Sequence, residues 1–428
     1  MSPNLVRKQD LAKYGGTPAR SEPMPGPYPG ALMIGEEERR LALEVIDSRS
    51  LFRYYGPDLR GMTDRLERDF ANRMQVPHAL AVSSGTASLK VGLTALGVGP
   101  GDEVIVPSLT FVASIGAVVQ VGAIPVFAEI DASLSIDPDD VEAKITDRTK
   151  AVMPVHVSGV ACRMDRLTDI GRRHGVAILE DCAQSCGAAF GGRPVGSWGE
   201  VGAYSFQLNK TITAGEGGAV VARDPELFER AIRYHDQGFL RGEWDEGQFY
   251  GENYRMNELS AAVLVAQLAK LDTIIGNMRA LKDRVVAGIR DLPLTLREVP
   301  DPAGDGANSV VFFLDTTDDA QRFIELLAAE NVSCARPYSG RVAYLTWPQI
   351  AAKRTSDPAG FPFTSPHNRT NASYGPGLCP RSEDLVSRAV FVPMSPVLPA
   401  DDADQIVAGI HKVAEYMAGT AAVAVGTR

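Results

Sequence analysis

Residues 78–107, HALAVSSGTASLKVGLTALGVGPGDEVIVP, decide how this chain is read. His78 to Val82 is short and apolar, as a strand is. Thr86 to Leu96 carries apolar residues at helical spacing and is stopped by Gly97, and Glu103 to Pro107 is a second strand. The alternation continues with a helix over Thr110 to Val121 and a strand over Pro125 to Ile130. Asp137-Pro138 then supplies an N-cap followed by proline at the first helical position. Lys150 to Val157 reads as a strand, Met164 to His174 as a helix and Val176 to Asp181 as a strand running straight into an acid. Such alternation predicts an α/β fold with a mostly parallel sheet covered by helices on both faces. In these sheets ligands bind at the carboxyl ends of the strands.

Several features fall on such ends. The loop SSGTAS, residues 83–88, joins a strand to a helix, so its N–H groups and the Thr86 hydroxyl suit a phosphate; small polar residues also make ordinary N-caps. No GxGxxG or Walker pattern is present there. Asp181 is costly at a buried strand end unless paired, which a structural ion pair or the protonated nitrogen of a pyridoxal ring would each satisfy. Gln184, three residues on, can reach a ring hydroxyl or stay solvated. Phe111 can stack on a flat cofactor or pack in the core. His156, in MPVHV, reads as a satisfied interior histidine. Lys210 lies in SFQLNKTITAGEGG, residues 205–218, between an apolar run and glycines. Alone it reads as a solvated charge; in a cleft, desolvation would lower its pKa and make it a Schiff-base nucleophile.

The 428 residues suggest two domains, and a formal net charge of -10 argues against a nucleic-acid surface. Five scattered cysteines read as reduced thiols of a cytoplasmic protein, and Cys182 and Cys186, with no histidine nearby in sequence, as a poor metal site; no metal is expected. No secretory signal and no apolar run of about 20 residues is read, so no membrane span is expected.

Residues 1–35 look like an extended arm lying on a neighbouring subunit. Helices are expected over Glu36 to Ile46, Met62 to Met74, up to Leu271, and separately over Asn277 to Ile289. A strand at Val310 to Leu314, a helix at Asp318 to Asn331 and an edge strand at Val332 to Pro337 follow. Residues 338–380, dense in proline, glycine and asparagine, form a loop long enough to be functional and are expected to border the substrate pocket. Val390 to Pro399 reads as strand and turn, Ala403 to Met417 as a helix, and residues 418–428 as a frayed tail. The domain expectation is an arm with the first helix (1–50), a large domain (51–272) and a smaller C-terminal α+β domain (273–428).

The stretches SSGTASL (83–89), GVGPGDEVIVPSLTFVAS (97–114), GAIPVFAEID (122–131), PVHVSG (154–159), EDCAQSCGA (180–188), GSWGEVGAYSFQLNKTITAGEGGAV (196–220) and GENYRMNELSAAVLVAQL (251–268) carry a resemblance. Together they resemble the DegT/StrS family of pyridoxal-phosphate-dependent sugar aminotransferases, which has the type I fold with a seven-stranded-type sheet. The resemblance implies pyridoxal 5'-phosphate as cofactor, Lys210 as its Schiff-base lysine and Asp181 as partner of the pyridine nitrogen. It places Gln184 near the ring hydroxyl, Gly85, Thr86 and Ser205 at the phosphate, and Phe111 on the ring. It implies a homodimer with shared sites, in which Asn253 contacts the phosphate in the neighbouring subunit. Lysine rather than histidine at 210 implies transamination from glutamine or glutamate. The wording SFQ…K.ITAGEGG, with EDCAQ, HDQG and the early YGG, is most similar to the branch that aminates keto-cyclitols in aminoglycoside-type pathways. Nucleotide-linked keto-sugar amination, a dehydratase or aromatising relative, and a non-catalytic regulatory protein are the alternatives.

Overall fold

The computed structural model describes residues 6–425 apart from 243 and 245. Helices α1 (Glu36–Ser48) and α2 (Met62–Met74) precede a seven-stranded sheet. Its strands and helices, in chain order, are β1 (His78–Val82), α3 (Gly85–Ala95), β2 (Glu103–Pro107), α4 (Val112–Gln120), β3 (Ile124–Ala128), β4 (Thr149–Val152), α5 (Met164–His174), β5 (Ala177–Asp181), β6 (Val201–Ser205) and β7 (Gly218–Ala222). The spatial order is β1-β7-β6-β5-β4-β2-β3, and only β7 runs against its neighbours. Helix α6 (Pro225–His235) and the 31-residue α7 (Glu258–Gly288) follow.

Alternation along each strand assigns the two faces. Leu80, Val82, Val104, Val106 and Leu179 join Leu89 of α3 and Ile115 of α4 in one core. Ala79, Ala81, Ile105 and Ile178 point the other way, toward cores that contain Phe70 of α2, Leu167 of α5 and Leu271 of α7. Glu180 and Asp181 continue this alternation and so serve opposite faces.

Beyond α7, β8 (Thr295–Leu296), β9 (Ser309–Phe313) and β10 (Ala389–Pro393) form an antiparallel sheet, with α8 (Thr317–Ala329) and α9 (Asp402–Val425) beside it. The two helices expected around residue 272 are one: α7 continues through Gly276, because Leu271, Ile274, Ile275, Met278 and Leu281 keep one face buried. That burial outweighs the ~1 kcal/mol that a mid-helix glycine costs. By length and mean hydropathy α7 would pass for a membrane span, yet half of its most apolar window is buried inside the protein.

Other boundaries also move. β4 stops at Val152 because Pro154 has no N–H to give to the ladder; Val155 then bridges Asp181 alone. The edge strand expected at Val332 to Pro337 reduces to one bridge, Ala335 to Phe391, between a left-handed Asn331 and a 3-10 turn at Pro337–Ser339. The frayed tail is helical through Val425, and its last three residues lie outside the described ones. The expected arm carries short helical turns at Lys8–Asp10, Ala12–Tyr14 and Pro29–Leu32, and it packs on the chain's own C-terminal part. Glu330 accepts from the Ala12 and Ala19 amides, and Arg20 pairs with Asp402.

Residues 343–379 cover the sheet edge at β3. The buried Tyr344 and Tyr374 meet Phe127 edge-on at 5.2 and 5.4 Å, and the Tyr374 hydroxyl donates to the Pro125 carbonyl at 2.8 Å. Exposed edges invite pairing with other chains, and this segment removes one.

Glu180, fully buried, holds the loop beyond β5. Its carboxylate accepts the N–H groups of Gly196, Trp198 and Gly199, each at 2.7 Å, and meets His156 Nε2 at 3.1 Å. Glu180→Gln would turn an NH2 group against these donors and is expected to cost about 2 kcal/mol, read as a lower midpoint in denaturant unfolding.

Candidate active site

The carboxyl ends of β1, β5 and β6 open onto one cavity of ≈ 630 Å³. At its floor, Ser84 is extended and its hydroxyl caps α3 by accepting the Ala87 N–H at 3.1 Å. The N–H groups of Gly85 and Thr86, in the first turn, have no carbonyl within the helix to reach. With the positive end of the helix dipole they make a cradle for an anion. Only glycine fits at 85: a Cβ there would stand 2.5 Å from the Ser205 Cβ. Likewise a Cβ at Gly218 would meet the Ser84 carbonyl oxygen at 2.4 Å, so glycine lets β7 pass beneath the cradle.

Asp181, 3% exposed, faces the cavity at the end of β5. Ser114 Oγ donates to one carboxylate oxygen at 2.8 Å and the Ala183 N–H to the other at 3.0 Å; Thr110 in turn bonds Ser114 at 2.6 Å. Burial pushes the Asp181 carboxyl above its ordinary value, and Ser114, the Ala183 amide and the Lys210 charge pull it back. Phe111, the residue before α4, is 53% exposed and stands at the cavity rim, 5.7 Å from the Trp347 ring.

Lys210 enters from the loop after β6. Thr213 Oγ1 donates to the Phe206 carbonyl at 2.9 Å, and the Lys210 carbonyl accepts from the Gly30 amide at 3.2 Å. Burial lowers the Lys210 pKa and the Asp181 charge opposes this. Among the described residues its amine has no ion-pair partner, so Asp181 acts from a distance.

The cavity thus gathers Gly85, Thr86, Phe111, Asp181, Gln184, Ser205 and Lys210. Asn253 does not line it: it bridges Asp236 on an exposed strand-like segment and accepts from the Arg255 amide at 3.4 Å. Several lining residues had gone unnoticed, among them Ser114, Ser158 and Asn308. Ser114 lies one helical turn after Phe111, a spacing visible in sequence; Asn308 and Ser158 come from distant segments and carried no local signal. Of residues 338–380, expected to border the pocket, Tyr338 is the one that lines the cavity; the rest of the segment lies elsewhere, much of it over the β3 edge.

These residues fit a phosphorylated pyridine aldehyde: unpaired helix amides for the phosphate, a buried carboxylate for the ring nitrogen and a desolvated amine for the aldehyde. His156, Glu180 and Cys182 correct a different expectation. A histidine does lie near Cys182 in space, with candidate ligand atoms all within 4.8 Å. Each is nonetheless committed: His156 Nδ1 accepts from the Cys162 amide at 3.0 Å, both Glu180 oxygens hold backbone donors, and Cys182 Sγ donates to the Glu180 carbonyl at 3.7 Å. The cluster is a satisfied interior network.

Residues 33–411 match the DegT/DnrJ/EryC1/StrS aminotransferase family. The L-glutamine:2-deoxy-scyllo-inosose aminotransferase of Streptomyces kanamyceticus is 35% identical over 404 residues, covering 90% of this chain and 89% of that protein. The GDP-perosamine synthase of Vibrio cholerae is 37% identical over 318 residues, 74% of this chain and 86% of that protein. Among solved structures, DesV of S. venezuelae superposes with a TM-score of 0.77 at 32% identity, covering 89% of this chain and 95% of that one.

A carboxyl whose folded pKa lies above its unfolded value adds stability below the unfolded value and loses it as pH rises through the folded one. Ionised Asp181 therefore opposes folding at neutral pH when nothing pairs with it. In cofactor-free protein, Asp181→Asn is expected to melt at the same temperature or higher, whereas turnover after cofactor is restored falls roughly a hundredfold. Thermal melts and steady-state rates check the two halves, and a lower melting temperature would count against this account of Asp181.

Proposed function

The chain belongs to the DegT/DnrJ/EryC1/StrS aminotransferase family and is a pyridoxal-phosphate-dependent aminotransferase, and we propose that its acceptor is a keto-cyclitol of the inosose type, aminated from glutamine or glutamate. The observation that carries this reading is the charge of the cavity wall. Among the described residues Lys210 is its only cation, and the other polar groups are mostly hydroxyls and amides: Ser158, Gln184, Gln207, Asn209, Asn308 and Ser309. A neutral polyol finds many partners there, whereas a nucleotide diphosphate finds no second cation. The likeness along nine-tenths of the chain to an inosose aminotransferase supports the same reading. The likeness to GDP-perosamine synthase makes a nucleotide-linked keto-sugar the second candidate.

In this reading Gly85, Thr86 and Ser205 would hold the cofactor phosphate, Phe111 would pack on the ring, Gln184 would lie by its hydroxyl and Asp181 would keep the ring nitrogen protonated. Pyridoxal 5'-phosphate, when bound, would supply the electron sink that makes the donor's α-proton acidic. Lys210 Nζ would be its attachment point. Once the donor's amino group has displaced it, the neutral Lys210 amine would take the donor α-proton, and in the second half-reaction it would deliver a proton to the former carbonyl carbon. We place the enzyme in the cytoplasm as a homodimer, Asn253 reaching the partner's phosphate, in a pathway of the aminoglycoside type.

The test is a two-step assay. Purified enzyme should be yellow, L-glutamine should bleach it, and 2-deoxy-scyllo-inosose should restore the colour. If a nucleotide-linked keto-sugar restores it and the inosose does not, the acceptor reading is wrong. Borohydride should fix the cofactor on Lys210, and Lys210→Ala should lower turnover roughly a thousandfold; a fully active variant would remove Lys210 from the chemistry.

A further inference from the structure

Tyr338 sits on a costly corner and faces the cavity, yet no step described so far uses it. Its backbone is left-handed, φ 47° and ψ 41°, and Ser339 follows at φ 59°. Two successive side-chain-bearing residues in that region persist only where their surroundings hold them, and such corners cluster at functional sites. Here the surroundings are aromatic. The Tyr338 ring lies 4.9 Å from that of Trp347 and 6.4 Å from that of Phe111. The same side chain walls both the main cavity and a ≈ 140 Å³ annex that contains Thr110, Ser158 and Gln184.

Tyr338 and Gln184 share the walls of the main cavity and of the annex, and Gln184 Oε1 is taken by the Ser158 amide at 3.2 Å. Tyr338 is therefore placed to offer its hydroxyl hydrogen to a ligand in the cavity. Burial raises the Tyr338 pKa well above its ordinary value, the Asp181 charge adds to this and Gln184 offsets only part, so the hydrogen stays in place at any working pH. Asn308 and Ser309, also in the cavity wall, are neutral, and Asn308 itself donates to the Gln184 carbonyl at 3.0 Å. Neutral groups beside a carboxylate favour a neutral hydroxylated ligand over the carboxylate of an amino-acid donor.

We propose that Tyr338 is a specificity residue of the acceptor half-reaction, donating its hydroxyl hydrogen to an oxygen substituent of the polyhydroxylated acceptor, its ring held in place by Phe111 and Trp347. The inference rests on the polyol reading of the cavity. Its test uses the holoenzyme and measures the half-reactions separately in Tyr338→Phe and Tyr338→Leu. Phenylalanine keeps the ring between Phe111 and Trp347 and removes only the hydroxyl.

Tyr338→Phe should convert L-glutamine within about twofold of the wild-type rate but lose roughly tenfold in kcat/KM toward 2-deoxy-scyllo-inosose, the size of one lost hydrogen bond. Equal losses in both half-reactions would make the role structural and overturn the proposal. So would an unimpaired Tyr338→Phe beside an impaired Tyr338→Leu, which would leave the ring as a wall. If wild-type enzyme rejects the inosose and takes a nucleotide-linked keto-sugar, the polyol reading fails by itself. The same comparison on that sugar then decides Tyr338: a loss confined to the acceptor half supports it, and any other pattern overturns it.

Discussion

Two groups of opposite charge, the buried Asp181 and the half-buried Lys210, stand on the walls of one cavity without forming an ion pair. Each is shifted by burial toward its neutral form, and each opposes the other's shift only from a distance. A closer approach would make an ordinary buried ion pair, stable and inert. Separation leaves the carboxylate able to pair with a ring nitrogen and the amine able to attack a carbonyl. Much of the surrounding structure maintains that separation: β5 and β6 are adjacent in the sheet, Ser114 and the Ala183 amide orient the carboxylate, and Thr213 braces the lysine loop.

Alternation in β5 makes this possible. Glu180 and Asp181 are consecutive acids, yet they do unrelated work because neighbouring strand residues point to opposite faces. Glu180 meets three backbone amides and a histidine and holds residues 195–199 in place. Asp181 is left with bonding capacity facing the cavity.

The sheet was legible in the sequence because its signals are local: β1, β2, α2 and α5 have the bounds that apolar runs, caps and glycine stops indicate. The cavity was legible for a related reason, since parallel strands present their carboxyl ends on one side, residues 85, 86 and 111 follow strands, and residues 181 and 205 end them. What local pattern misled about is equally physical. Pro154 cut β4 short, burial carried α7 across Gly276, and His156 approached Cys182 from the segment that follows β4. Ser158, Asn308 and Tyr338 come together only through tertiary packing, and two of them sit at left-handed or bridging corners that composition does not reveal.

The N-terminal arm has a meaning beyond its own stability. Pro27 and Pro29 are part of the cavity wall, the Gly30 amide bonds the carbonyl of Lys210 itself, and the preceding segment is tied to Glu330 and Asp402 of the C-terminal part of the chain. The arm is therefore a tether that joins the backbone of Lys210 to the C-terminal part of the chain, so trimming the first thirty residues would remove part of the cavity wall together with a brace of the Lys210 loop.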